Sequence, residues 1–289
     1  LEVVTLERAE ELDAVRRDTF ERPFDLGEPP LWRARLCLAP GEEAHLVLAI
    51  SHLVSDGASL ALIASELLQA YDALAWGTAP EWEAAVPYGD FVAWQRGPDG
   101  AERLEAQLAY WRRQLSPPPP PVTIARDRRD PAGRGPTRRT ERRLSEELER
   151  ALGALAREAK ASPFMVVMAA WQVLLARRSG ERDVAVGTPV SGRPGARFQR
   201  SVGLFINTVA IRSRVEMRRS FLDHVARVKA SSLEALRHQD APFAQVVGAL
   251  DLDRRVDATP VFQTLLVYNE TSPGAARGGG LEQIGRAHV

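Results

Sequence analysis

Thiols, long apolar runs and excess charge of either sign are all missing from this chain. It has one cysteine, Cys37, in 289 residues. A single thiol excludes an internal disulfide and any cysteine-based metal cluster, and it suits a reducing compartment. Lysine plus arginine and aspartate plus glutamate both number 38, so the net charge is zero. A neutral chain has no general attraction for nucleic acid or an anionic membrane, although residues 126–143 are locally arginine-rich. No apolar run approaches the roughly 18 residues of a membrane span. The N-terminus carries no signal-peptide pattern. These absences predict a cytoplasmic protein with neither nucleic acid nor membrane as partner. No His/Asp/Glu group has metal-ligand spacing, so no metal is expected. No repeat is visible. There is no initiator Met, and the first residues read like the middle of a domain, so a fragment is expected.

What is present is globular. The composition is 45% hydrophobic and 26% charged, enough for one large domain or two lobes. Residues 5–18 predict an amphipathic helix. Residues 31–38 and 45–51 predict strands around a hairpin-like turn at 41–43. The second strand is apolar on both faces and is expected inside a sheet. Helices follow over 58–74 and 102–115. The five prolines 117–121 predict a stiff spacer and the lobe boundary. Beyond them, 140–144, 184–190, 202–212 and 261–267 read as strands. Ser145 and Ser162-Pro163 cap helices, the second of them, 164–175, apolar all round. Residues 220–236 and 242–250 read as further helices. Strands and helices mix without regular alternation, which favours α+β.

The densest chemistry is Ile50-Ser51-His52-Leu53-Val54-Ser55-Asp56-Gly57-Ala58-Ser59, where strand gives way to helix. Rigid elements hold side chains there, and the helix start leaves backbone N–H groups free. A histidine offers a neutral imidazole nitrogen near pH 7. Asp56 is suited to orient a group, pair an arginine or cap the helix. Gly57 lets a substrate pass close to the backbone. Alone, these three residues also describe a core histidine beside an ordinary helix cap. His45 reads as a sheet residue and His224 as a packed or surface one. His238 reads as part of a structural turn, and His288 lies in the tail.

The stretch resembles the His-His-x-x-x-Asp-Gly motif of condensation domains of non-ribosomal peptide synthetases, a family with the chloramphenicol acetyltransferase-like fold. Ser51 stands in place of the first histidine. Tyr88-Gly89-Asp90-Phe91-Val92-Ala93-Trp94, Gly187 to Arg193, Val202 to Thr208, His238 to Phe243 and Phe262 to Asn269 resemble further motifs of that family, in its order. Arg254 to Pro260 is a weak version of its last motif. Ala58 stands where many members carry Trp or Val.

The resemblance implies a two-lobed α+β fold, incomplete at both termini. The expected division is a partial N-terminal lobe over 1–116, a linker over 117–121, a partial C-terminal lobe over 122–270 and a flexible tail over 271–289. Residues 283–289 resemble a sequencing-adapter scar. The implied reaction is peptide-bond formation between an acyl or peptidyl thioester donor and an aminoacyl acceptor. Both ride on phosphopantetheine arms of carrier domains, with an adenylation domain in the parent synthetase and no covalently bound cofactor. His52 is the implied catalytic residue. Asp56, Gly57, Ser51 and Arg193 are implied to shape the site, with Arg193 from the other lobe pairing Asp56 and Arg33 the second choice. Asn207, Thr208, Asp90, Trp94, His238 and Asp240 are motif or tunnel residues. Strand alternation would turn Ser51 away from His52. Alternatives are a silent condensation-like scaffold recruiting a carrier or tailoring enzyme, favoured by Ser51, and a stand-alone CoA-dependent acyltransferase, disfavoured by the Asn-Thr and His-Gln-Asp motifs. Epimerase-type and heterocyclising relatives fit less well. The fragment alone is expected to be inactive.

Overall fold

The computed structural model describes residues 1–41, 44–124, 139–250 and 260–269, with the backbone of 277–278 and 281–282. Most of the arginine-rich stretch, the weak motif up to Thr259 and the 283–289 tail lie outside the described residues. The chain folds as a mixture of helix and sheet in two compact units. One contains Leu1–Val92, Arg193–Phe205 and Pro273–Val289, the other Ala93–Gly192 and Ile206–Ser272.

In the first unit, β1 (Glu2–Thr5) runs parallel to β2 (Trp32–Leu38), which pairs antiparallel with β3 (Ala44–Ile50). Helix α1 (Glu11–Glu21) covers one face, where Leu6, Cys37 and Val47 are buried against Val4, Leu12 and Val15. The helix expected from residue 5 therefore begins six residues later, because residues 2–5 take their hydrogen bonds from β2 instead. β3, expected inside the sheet, lies at an end of the order β1-β2-β3 among the described strands. Its apolar alternation covers one face only: Val47 is 6% exposed and its neighbour Leu46 49%. Helix α2 (Gly57–Ala75) follows, and α3 (Tyr88–Arg96) starts in this unit.

The second unit holds α4 (Pro98–Leu115), α5 (Glu146–Glu158), α6 (Pro163–Ser179), β4 (Asp183–Val190), β5 (Asn207–Arg214), α7 (Phe221–Arg237) and α8 (Phe243–Ala249). Two short strands, β6 (Arg277–Gly278) and β7 (Leu281–Glu282), form a hairpin in the first unit. Ser145 and Ser162 accept the backbone N–H groups of Leu148 and Met165, as N-caps do. The antiparallel pair β4–β5 carries Val184, Val186, Val209 and Ile211 into a core shared with Met168, Ala169, Val225 and Val228. Among the described helices none is long and apolar enough to cross a membrane by itself. Leu115 and Val122, on either side of the proline run, both enter this core. Helix α4 thus clusters with residues after the prolines, and 193–205 with residues before them.

Three expected strands are missing or cut short among the described residues. Residues 140–144 are exposed and irregular. Residues 261–267 contribute a single bridge, Leu265 to Gly187. β5 begins at Asn207, because the backbone of 203–205 is bound by side chains rather than by a neighbouring strand.

His224, on α7, is 3% exposed, and neither ring nitrogen has a hydrogen-bond partner among the described residues. Burial, with help from nearby Arg227, pushes its pKa below the ordinary 6.5. The fold therefore favours the neutral ring. Its contribution is complete above the unfolded value and is lost as pH falls through the folded one. Melting temperature is expected to drop from pH 7.5 to 5.5, and His224→Leu is expected to flatten that slope. An equal slope in both proteins assigns the acid lability elsewhere.

Candidate functional site

The chain leaves β3 at Ile50, and the Ser51 N–H closes the strand on the Leu31 carbonyl. Residues 51–54 then turn. The Ser51 carbonyl accepts both the Val54 N–H and the Ser55 hydroxyl. Strand alternation therefore stops short of the motif, and the expectation that Ser51 and His52 occupy opposite sheet faces does not apply. His52 is exposed, and its Nδ1 lies 2.7 Å from the Ser55 carbonyl oxygen. A carbonyl only accepts, so Nδ1 carries the proton and the neutral ring keeps its lone pair on Nε2.

Asp56 is the N-cap of α2 and is 3% exposed. Its carboxylate accepts four hydrogen bonds. Oδ1 takes the Ser59 N–H at 2.8 Å and Arg193 Nη2 at 3.0 Å. Oδ2 takes Arg193 Nη1 at 2.8 Å and the Phe205 N–H at 3.1 Å. The carboxylate caps the helix and pairs the arginine at once. Burial pushes its pKa up, but the Arg193 guanidinium and the Ser59 N–H outweigh that and hold it below the ordinary 3.8. Arg193 is itself 2% exposed at its side chain and lies over the Phe205 ring at 4.3 Å. Arg33, the second choice, is spent elsewhere. It donates to the carbonyls of Arg22 and Pro23 and stacks on Phe24. Gly57 opens α2 with no atom within 4 Å of the position a Cβ would take. Packing does not demand a glycine there, and the helix start beside His52 stays open.

Ser59 closes the stretch that marks the strand-to-helix junction, although the sequence gives it no role of its own. It is fully buried, and its hydroxyl donates to the Gly203 carbonyl at 2.8 Å while accepting the Gly203 N–H at 3.0 Å and Arg193 Nη2 at 2.8 Å. Gly203 in turn lies flat against Tyr88, whose hydroxyl binds the Leu204 carbonyl at 2.8 Å. A Cβ on Gly203 would sit 2.1 Å from the Tyr88 ring. Gly203→Ala is accordingly expected to lower stability by about 1–3 kcal/mol, the usual range for overpacking. A denaturant melt matching the wild type would place the ring elsewhere. Asp90 meets Arg197 at 3.2 Å in an exposed pair, which adds little. Phe91 packs tilted or edge-on against Tyr88, Phe198 and Phe205.

The remaining motif residues belong to the second unit. Asn207 Nδ2 donates to the carbonyls of Gln239 and Ala241, both at 2.7 Å, and Oδ1 accepts the Phe243 N–H. Both polar atoms of that amide are spent holding the His-Gln-Asp-Ala-Pro-Phe turn. Asp240 accepts from Gln107, His238 binds the Glu234 carbonyl through Nδ1 and stacks on Tyr110 at 3.8 Å, and Trp111 binds the His238 carbonyl. Thr208 lies opposite Pro189 in the β4–β5 ladder. Trp94 carries the Arg103 guanidinium over its ring. Gly187 faces Phe262, which a Cβ would approach to 2.4 Å. Among the described residues no group of His, Cys, Asp and Glu is arranged to hold a metal ion.

A family model described as the condensation domain matches residues 1–279. One of the linear gramicidin synthase proteins of Brevibacillus parabrevis is 38% identical over 263 residues, 90% of this chain but 3% of that protein. The X-domain from teicoplanin biosynthesis is similar in structure, with a TM-score of 0.78 and 27% identity, over 92% of this chain and 61% of that one. The first condensation domain of the CDA synthetase gives a TM-score of 0.67 and 28% identity, over 92% of this chain and 58% of that one.

Proposed function

The chain belongs to the condensation-domain family, and from that premise we propose that it forms an amide bond between two carrier-bound substrates, with His52 as the catalytic residue. The acceptor amine attacks the donor thioester carbonyl. The C–N bond forms, the C–S bond breaks, and the phosphopantetheine thiol leaves. The attacking nitrogen becomes cationic as it bonds, and Nε2 of His52 takes its proton, which ends on the departing thiolate. The observation that carries this is the 2.7 Å contact of Nδ1 with the Ser55 carbonyl, which turns the basic nitrogen outward at the open start of α2.

Magnitudes limit the task. An α-amine with a pKa near 7.7–8.0 is about one-tenth unprotonated at pH 7, so freeing it costs only about 1–1.4 kcal/mol. General-base help during attack is worth roughly 10²–10⁴ in rate, and positioning of the amine adds to it. Asp56 takes no part in proton transfer on this reading, because both its oxygens are filled by hydrogen bonds. Asn207 likewise serves the turn it holds. The substrates arrive on phosphopantetheine arms of donor and acceptor carrier domains, beside an adenylation domain, in the cytoplasm. The two-lobed division around the prolines belongs to the same reading.

Ser51 in place of the family's first histidine, together with the likeness to the X-domain, favours a second reading: a scaffold that recruits a carrier or a tailoring enzyme. A solved complex of that X-domain contains OxyB. One experiment separates the two. The full-length domain is mixed with loaded donor and acceptor carriers, and the acceptor is weighed by mass spectrometry. Dipeptidyl acceptor supports condensation. No product with any donor, alongside tight binding of a carrier or tailoring enzyme, supports the scaffold.

A further inference from the structure

Nothing in the condensation reading gives Ser59 a task, yet it is among the most heavily bonded side chains in the first unit. We propose that Ser59 is a positioning residue that fixes the tautomer and orientation of His52 through Arg193 and Asp56. The proposal rests on the reading of His52 as the proton acceptor.

The links are short and buried. The Ser59 hydroxyl accepts Arg193 Nη2 at 2.8 Å. That nitrogen also reaches Asp56 Oδ1 at 3.0 Å and the Ser201 carbonyl at 3.2 Å, so Ser59 sets where one arm of the guanidinium fork rests. Arg193 Nε has no hydrogen-bond partner among the described residues, which leaves the two terminal nitrogens to hold the group. Their grip on Asp56 fixes the helix cap. Ser55 is the residue before the cap, is 2% exposed, and offers the carbonyl that holds His52 Nδ1. A carboxylate that shifts with a loosened guanidinium moves the backbone before it. The histidine then loses the acceptor that keeps its proton on Nδ1, and Nε2 stops being the free base. Gly203 reinforces the arrangement, because both its N–H and its carbonyl engage the same hydroxyl.

A merely structural serine predicts lower stability and nothing more. The test is made in the full-length domain with histidine labelled by ¹⁵N, comparing wild type, Ser59→Ala and Tyr88→Phe. Tyr88→Phe removes one hydroxyl bond from the same segment, at the Leu204 carbonyl, without touching the arginine. Ser59→Ala is expected to convert His52 from a single Nδ1–H tautomer to a mixture. It is expected to lower kcat by about 10-fold to 10²-fold, the scale of a small misplacement, with KM unchanged. Tyr88→Phe is expected to lose stability and move neither quantity. If Ser59→Ala does not fold, Ser59→Cys, close in size but a weak hydrogen-bonding group, is read the same way. An unchanged tautomer and kcat in the Ser59 variant overturn the proposal, as does an equal response in Tyr88→Phe. Full turnover by His52→Ala, by contrast, sinks the underlying reading whatever Ser59 does.

Discussion

Replacing His52 with alanine in the full-length domain is expected to cut formation of the dipeptidyl acceptor by about 10²-fold or more, since base and positioning roles are lost together. The side chain is exposed, and its bond to the Ser55 carbonyl ties it to its own turn. Its removal strands no charge and opens no core cavity, so melting temperature should hardly move. The measurement is single-turnover mass spectrometry of the acceptor carrier, with a melt of the same sample. Equal product from both proteins excludes His52 as the catalytic group.

Asp56→Ala is expected to act in the opposite way and cost about 3–5 kcal/mol of stability, because it strands a guanidinium that is 2% exposed. It also removes the cap of α2 and the acceptor of the Phe205 N–H. The loss should be the same at pH 5 and pH 8. The folded carboxyl titrates below 3.8, so its contribution is complete above the unfolded value and fades only as pH falls through the folded one. This separates it from the His224 slope, which lies in the range from pH 7.5 to 5.5. Arg193→Ala should cost a similar amount, and the double variant less than the sum, as coupled neighbours do. If Asp56→Ala keeps wild-type melting and loses turnover alone, the carboxylate belongs to the chemistry and its assigned role is wrong.

Helices whose apolar faces and caps are local are legible in the sequence. Ser145 and Ser162 start α5 and α6 at the expected residues, and α2 and α7 keep their expected spans. Asp56 and Arg193 are legible as partners only through the family resemblance, since nothing local joins residues 137 apart. The misread segment 202–206 has a physical cause. Its apolar residues look like a strand, yet the Gly203 N–H and carbonyl go to Ser59, the Leu204 carbonyl to Tyr88, and the Phe205 N–H to Asp56. A propensity reading sees the side chains of a segment and not who takes its backbone. The role of Ser59 is hidden for the same reason: its partners are an arginine and a glycine 134 and 144 residues away. β3 reads as an inner strand because its apolar pattern is two-sided, while the described sheet covers one side.

The same long reach matters while the chain is being made. The ribosome adds roughly 5–20 residues per second, so Arg193 follows Asp56 by about 7–27 s. Over that interval the start of α2 has a carboxylate and no cation, and burying it unpaired is unfavourable. The nascent N-terminal stretch must therefore stay open around Asp56 until residues 193–205 emerge. Translation speed between those two points sets how long its apolar helix waits, exposed to chaperones and to neighbouring nascent chains.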